Sequence, residues 1–454
     1  MKPIKCYFIK TAVLLIVLGS MAILYWYWSH KNFDEKCIPS NADGIVMVDV
    51  KNIRNYFILS YIKNSSQWQW KNSETKKEFD LSEFGIETPD YLAFFHLENQ
   101  PITHWFAVAK IENEADFEKE ITDSGFSKTK INSTFVGYYS KSLGVCIIKH
   151  SSQILFALIP EKQKGIALKI AQDLFIKKLF LDIKKIEKTI GTSNAITLWI
   201  KKDSFLEQDG IINVQLGDQE IVAEARLQLK PKYRTETQFS KNQNALMSLG
   251  FNFEMIRNCK MISQHTVQIN KMIGFDLDSI LSQNPKKIEL VLNGMIQKKD
   301  SAISYSYDDD FNAVEKKIVH ITREPSFNFA MQSDNSKNVF DYLKGQKIIN
   351  NDQVFVNFPL AKTTASVAGN NFILKANSED LIPTTSAKRI AYLHINFNKL
   401  QPKDWNFIIR KNKNFKFIKH FGVLQINLTN EKNLVNFRAR LKTKNKNLIE
   451  VVKN

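Results

Sequence analysis

The sequence predicts an α+β protein: an N-terminal transmembrane helix, then a duplicated ectodomain of largely antiparallel sheets with packed helices. Three observations predict it. One uncharged stretch is long enough to cross a bilayer. Beyond it, hairpin-like runs of strands are broken by isolated helical segments, which favours antiparallel sheets over a doubly wound parallel one. The order of these segments then returns, with short identical or similar stretches at matching places.

The membrane element comes first. Thr11 to Trp28 (TAVLLIVLGSMAILYWYW) carries no charge over 18 residues, and Tyr7, Phe8 and Ile9 extend its apolar character. At about 1.5 Å per residue such a helix covers a hydrocarbon core of roughly 30 Å. Lys2, Lys5 and Lys10 precede it, so the positive-inside rule puts a stub of residues 1–10 in the cytoplasm. Tyr25, Trp26, Tyr27 and Trp28 close it as an interfacial aromatic belt. A cleaved signal peptide needs small residues at that place, so an uncleaved signal anchor is expected. The expected location is the inner membrane, single-pass, with the bulk of the chain periplasmic.

Residues 29–37 read as a linker, with structure starting at Ile38-Pro39. Gly44 to Val50 (GIVMVDV) reads as a strand, followed by a helix through Ile53, Tyr56, Phe57 and Tyr61 that Asn52 can cap. Tyr91–Leu97 and Thr103–Ile111 flank an Asn-Gln-Pro turn as a hairpin. Asn113 caps a helix over Glu114–Thr122, stopped by Gly125. Strands are expected near 133–139, 143–149 and 153–158, two helices within Lys162–Ile190, and strands at Ala195–Ile200 and Val214–Leu229.

The repeat rests on four matches in order. Ile53-Arg54-Asn55 returns as Ile256-Arg257-Asn258; Phe106–Ile121 returns as Asn328–Leu343, setting Asn113 on Asn335; Ile196–Leu206 returns as Ile390–Leu400; and Ala225-Arg226-Leu227 returns as Ala439-Arg440-Leu441. The expected halves are 38–230 and 240–450.

Composition narrows the function. Of 454 residues 44% are hydrophobic and 24% charged, and 32 are Phe, so the chain can bury a sizeable core. The net charge of +17 follows a lysine bias spread along the chain and reads as a solvated surface, with an anionic lipid or glycan as the partner it would favour. An extracytoplasmic place argues against nucleic acid. Arg410–His420 (RKNKNFKFIKH) interleaves cations with Phe415 and Phe417, as a lipid or glycan contact would. Cys6 precedes the anchor; Cys37, Cys146 and Cys259 follow it, an odd number that allows one bridge without assigning it.

The sequence holds no phosphate-binding loop, dinucleotide fingerprint, zincin motif or nucleophile elbow. Ser60-Tyr61-Ile62-Lys63 has the S-x-x-K spacing of penicillin-binding enzymes without their partner motifs, and reads as a surface helix. His96 and His104 flank the hairpin turn, and Glu98 adds an oxygen, but a zinc site needs three or four ligands. Asp308-Asp309-Asp310 lacks the alternation of a calcium loop. No catalytic, cofactor-binding or metal-ligating residue is therefore assigned, and no cofactor is expected.

The stretch Ile38-Pro39-Ser40-Asn41-Ala42-Asp43-Gly44, leading into Ile45–Val50 and Asn52-Ile53, resembles uncharacterised single-span envelope proteins of Gram-negative bacteria. In these an N-terminal anchor is followed by a Pro-x-x-Ala lead into a strand and helix, then long α+β repeats. The resemblance implies an envelope location and carries no functional residues. The expected role is a non-enzymatic binding or structural module in the cell envelope, held in the lipid bilayer through Thr11 to Trp28, with an envelope protein or an anionic lipid or glycan as partner. The alternative is an envelope hydrolase with an atypical site drawing on Asp49, His96, Glu98 and His104.

Overall fold

A computed structural model describes residues 30–63, 84–203, 205–242, 244–253, 257, 266–307, 311–378, 385–402, 418–444 and 447–453. The expected anchor at Thr11–Trp28, Cys6, Cys259, Asp308–Asp310 and most of Arg410–His420 lie outside them. Among the described residues no helix is long and apolar enough to cross a membrane. The chain forms two compact units, Met1–Lys201 with Asp209–Leu216, and Lys202–Gln208 with Gly217–Asn454. Largely antiparallel sheet with a few helices makes it an α+β protein.

In the first unit β1 (Ala42–Asp49) pairs antiparallel with β2 (Tyr91–Leu97) on one side and β8 (Ile196–Ile200) on the other. The β2 hairpin partner is β3 (Trp105–Lys110), and β3 pairs with β7 (Gln153–Leu158). The ladder continues through β6 (Val145–His150), β5 (Val136–Ser140) and β4 (Ser127–Lys130), while β9 (Gly210–Leu216) pairs with β8. Alternation in β2 buries Tyr91, Ala93, Phe95 and Leu97 on one face. There they meet Ile45, Met47 and the buried side of helix α3 (Lys164–Ala171), whose Ala167 and Ile170 let it lie close. Helix α2 (Glu114–Asp123) covers the opposite face with Phe117 and Ile121, against Ile147 and Ile154. Strands β6 and β7 are thus covered on both faces, which is why Cys146-Ile147-Ile148 and Ile154-Leu155 read as unbroken apolar runs.

Several expectations shift at their edges. Helix α1 spans Val50–Lys63, and its first turn is capped by Asp49, whose Oδ1 accepts from the Asn52 amide at 2.7 Å; Asn52 is already inside the helix. Residues 30–37, expected as a linker, are already tied to the first unit. Lys31 Nζ lies 2.5 Å from Asp49 Oδ2, the Asn32 amide donates to Asp90 at 2.8 Å, and Phe33 packs edge-on to Tyr91. Only the first third of Lys162–Ile190 is α-helix; a wide π turn over Gln172–Ile176 and two 3₁₀ turns follow. Asp218 and Gln219 break Val214–Leu229 into two strands, β9 and β10 (Glu220–Leu227).

In the second unit β12 (Met247–Asn252) lies between β13 (Pro285–Tyr307) and β18 (Ala391–Asn396). On one side the ladder runs from β13 to β14 (Ala313–Ser333), β16 (Asn371–Ala376) and β15 (Thr364–Ala368). On the other it runs from β18 to β19 (Phe421–Glu431), β20 (Leu434–Thr443) and β10. A two-stranded ladder, β11 (Thr237–Lys241) with β17 (Thr385–Arg389), sets Phe239 against Tyr392 and directly over Gly250; a Cβ at Gly250 would meet these rings at 2.5 and 2.7 Å. Helices α4 (Thr266–Ile273) and α5 (Leu277–Leu281) precede β13. Helix α6 (Ser336–Gly345) packs Val339 and Leu343 onto Met331, Phe372 and Ala365, and α7 (Leu448–Lys453) ends the chain.

Candidate apolar ligand site

Alternation along β13, β14 and β16 turns Leu290, Leu292, Phe327, Phe329 and Leu374 to one face of the second unit's sheet. Met331 and Phe372 continue that face and are covered by α6. Among the described residues no helix fills the remaining part. It floors a cavity of about 720 Å³ walled by Phe355, Phe358, Leu360 and Thr363 from the chain after α6, and by Leu246, Met247 and Leu400. Met295, Pro325 and Arg323 complete the lining. The volume falls in the range of small-molecule sites, and apolar lining with few polar groups is their usual character.

A register shift in β13 between Leu292 and Gly294 keeps Met295 on the cavity side of the hairpin. Beyond it β13 and β14 form a two-stranded ribbon from the Met295–Pro325 pair to Tyr307–Ala313, a span of roughly 40 Å. The cavity face of the ribbon goes on through Ile321, Val319, Ile303 and Tyr305, all between 55% and 64% exposed. These apolar residues alternate on that face with Gln297, Arg323, Lys299 and Lys317, so the ribbon is of mixed character beyond the cavity. Arg323 is the cation among the lining residues. The neighbouring Glu324 turns to the other face, where Lys298 pairs with it at 3.2 Å and Asn377 donates to it at 3.0 Å, so its carboxylate is held below its ordinary range.

The residues weighed from sequence fall elsewhere. Asp49 ends β1 on the buried face, facing Tyr91, with Lys31 and the first turn of α1 on its oxygens. His96 sits at the opposite end of that ladder, facing Gly44, and on the other face of the sheet. Its Nδ1 lies 2.7 Å from Asp43 and its Nε2 lies 3.1 Å from the Pro101 carbonyl, so both ring nitrogens have polar neighbours within the first unit. His104 is buried near Gln100, and burial, with His96 nearby, lowers its pKa. Glu98 reaches Lys201 at 3.6 Å. Asp49 and His96 therefore do not converge on one pocket. Among the described residues no group of three or more His, Cys, Asp and Glu is arranged to hold a metal ion. Ser60 is buried and Lys63 exposed at the end of α1. Cys37 and Cys146 are free thiols, raised by burial to about 12 and about 11.

Sequence reasoning missed the cavity. The alternation of β13, β14 and β16 is legible, but an apolar strand face reads the same whether a helix or open space lies above it. The signal that was there is the length of the hairpin itself: a strand pair far longer than the usual five or six residues has more face than a compact core has room to cover.

No family model and no curated protein matches the chain. Among solved structures, crystal form IV of TP0453 aligns with a TM-score of 0.25 at 10% identity, over 77% of this chain and 94% of that one. Crystal form I of the same protein aligns with a TM-score of 0.21 at 12% identity, over 74% and 89%. No shared fold or role follows from scores this low.

Proposed function

We propose that this chain is a membrane-anchored envelope protein acting as a non-enzymatic binding module, and that its second unit takes an apolar ligand into the cavity floored by β13, β14 and β16. The observation that carries the reading is the cavity itself. A space of about 720 Å³ lined almost wholly by carbon side chains is poorly suited to holding water, which needs several polar partners. The anchor at Thr11–Trp28 and the periplasmic place of the ectodomain belong to the same proposal, supported by the uncharged stretch and the preceding lysines. The hydrolase reading has no observation in its favour, since Asp49 and His96 lie at opposite ends and on opposite faces of one ladder.

The ectodomain is, in the same proposal, a duplication. Support comes from strand order and register together. Reading outward from β1, the first unit runs β2, β3, β7, β6 on one side and β8, β9 on the other; from β12 the second runs β13, β14, β16, β15 and β18, β19. Gly44 faces His96 as Met247 faces Leu292, Phe94 faces Ala107 as Leu290 faces Phe329, and Trp105 faces Leu158 as Phe327 faces Ala376. Helices α2 and α6 stand 222 positions apart, with Phe117 and Ile121 buried as Val339 and Leu343 are. One letter match needs moving. Val48 faces Ile196 and Phe251 faces Ala391, so the counterpart of Ile196 is Ala391, one residue beyond Ile390. A one-residue slip exchanges the faces of a strand, so ladder register outweighs letter identity here.

The reading is tested by purifying the full-length chain from its native membrane and identifying by mass spectrometry what organic solvent extracts from it. An apolar molecule near one per chain is expected, and much less with Leu374→Trp, which fills the cavity. Equal recovery from both proteins defeats the reading; a circular-dichroism spectrum unchanged by Leu374→Trp shows that the variant is folded.

A further inference from the structure

Resting on the anchor reading, we infer that helix α1 (Val50–Lys63) lies in the interface of the same membrane that holds Thr11–Trp28, with Ile58, Leu59 and Ile62 turned into the lipid. The first observation is how little the helix packs against. Seven of its 14 residues are Ile, Leu, Phe or Tyr, yet among the described residues Ser60 is the one of the helix that is buried. A helix of this length is marginal alone and takes its stability in a protein from the apolar face it buries. Its β-branched and aromatic residues add little propensity of their own. Ile58, Leu59, Tyr61 and Ile62 are between 39% and 66% exposed. Helical spacing sets Ile58 one turn from Ile62, with Leu59 and Tyr61 on the two flanks. Lys51, Arg54 and Asn55 share that side but stand in the earlier turns, so the apolar patch belongs to the end of the helix.

The second observation is where the chain goes. Lys51 Nζ donates to the His30 carbonyl at 2.6 Å, and Lys31 is held by Asp49, the residue just before α1. Two peptide steps lead from Trp28 to His30, a reach of about 7 Å at most. The start of α1 is therefore tied close to the point where the anchor leaves the bilayer. Ile58 and Ile62 follow within the roughly 21 Å that 14 helical residues span. The third observation is charge. The helix carries Lys51, Arg54 and Lys63 and no carboxylate. Asp90 pairs with Lys51 at 3.1 Å, while Arg54 and Lys63 are exposed. Apolar side chains below and cations level with the phosphates are the layout of an interfacial helix. Another protein could cover the same patch, but the tether keeps the bilayer beside it at a high effective concentration.

The test uses the full-length chain reconstituted in phosphatidylcholine vesicles that contain a tracer phosphatidylcholine with a diazirine high on one acyl chain. After illumination the lipid-labelled peptides are mapped by mass spectrometry. Label is expected on the peptide of Thr11–Trp28 and on that of residues 58–63. Changing Ile58→Ser and Ile62→Ser together should cut the α1 label by roughly tenfold relative to the anchor label, through the loss of two apolar contacts with lipid. Both positions are exposed, and an unchanged circular-dichroism spectrum in detergent tells a lost contact from a lost fold. Label on the anchor with none on α1 in the natural chain overturns the interfacial helix and leaves the anchor reading standing. Absence of label from both overturns both. An α1 label that the double variant does not reduce shows nearness without contact and overturns the proposal. Cross-linking of Lys63 to a second copy, without lipid label on α1, makes another chain the occupant and ends it.

Discussion

At the scale of single residues, the most constrained polar group is Asp49. One oxygen caps α1 through the Asn52 amide and the other takes Lys31, while the Asn52 side chain donates to the carbonyls of Thr192 and Asn194 at 2.9 Å. Asp49 is 3% exposed, and removing its carboxylate takes from the partly buried Lys31 ammonium its ion-pair partner, leaving only the Asn52 side-chain oxygen at 2.8 Å and the Thr192 carbonyl at 3.4 Å. Asp49→Ala is expected to cost about 3 kcal/mol. Asp49→Asn keeps an acceptor for the Asn52 amide and should cost about 1 kcal/mol less. Urea unfolding with an unchanged denaturant slope measures both. His104 gives a pH signature. Burial, with His96 close by, lowers its pKa below the ordinary 6.5 in the folded chain. Below that value the unfolded chain holds the proton more readily than the folded one. Stability is therefore full above it, falls as pH drops towards the lower folded value, and has lost the whole contribution beneath that. His104→Gln removes this titration, so its urea midpoint should move less than that of the natural chain between about pH 7 and pH 5.

At the scale of elements, α2 was legible almost to the residue because its signals are local: the Asn113 side chain accepts from the Ala115 and Asp116 amides, and Gly125 takes φ +76° just past the end. Helix α6 ends in the same way. Phe126 and Ile348 donate to Ile121 and Leu343, and Gly125 and Lys347 donate to Thr122 and Lys344. Lys347, however, holds φ +58° with a side chain that disfavours it. Lys347→Gly should raise stability by about 1 kcal/mol, and Gly125→Ala should lower it by a similar amount, since open space rather than a clash surrounds that position. Thermal unfolding reads both. Gly85 is a different case: a Cβ there would lie 2.2 Å from the Asn113 carbonyl oxygen, so Gly85→Ala should displace the start of α2 and cost about 3 kcal/mol. An element with weak local signals was not legible. The exposed Ser127–Lys130 strand has no apolar alternation, and it exists because β5 offers its edge.

At the scale of the whole molecule, the proposed topology makes a direct prediction. Protease added to intact spheroplasts should degrade nearly all of the chain and leave a fragment of the cytoplasmic stub and anchor. Survival of the bulk of the polypeptide would reverse the orientation, because the lysines at positions 2, 5 and 10 would then face outward.

The sequence by itself determined the α+β class, the β2–β3 hairpin and the Asn113 cap of α2, because each is written in spacing over a few to a dozen neighbouring residues. The tertiary structure alone decided that Asp49 and His96 are kept apart, and that the face shared by Leu290, Phe329 and Leu374 floors a cavity among the described residues where α6 stops. Those outcomes depend on which strand lies beside which and on what covers a sheet, and apolar alternation carries the same letters over a packed helix as over empty space.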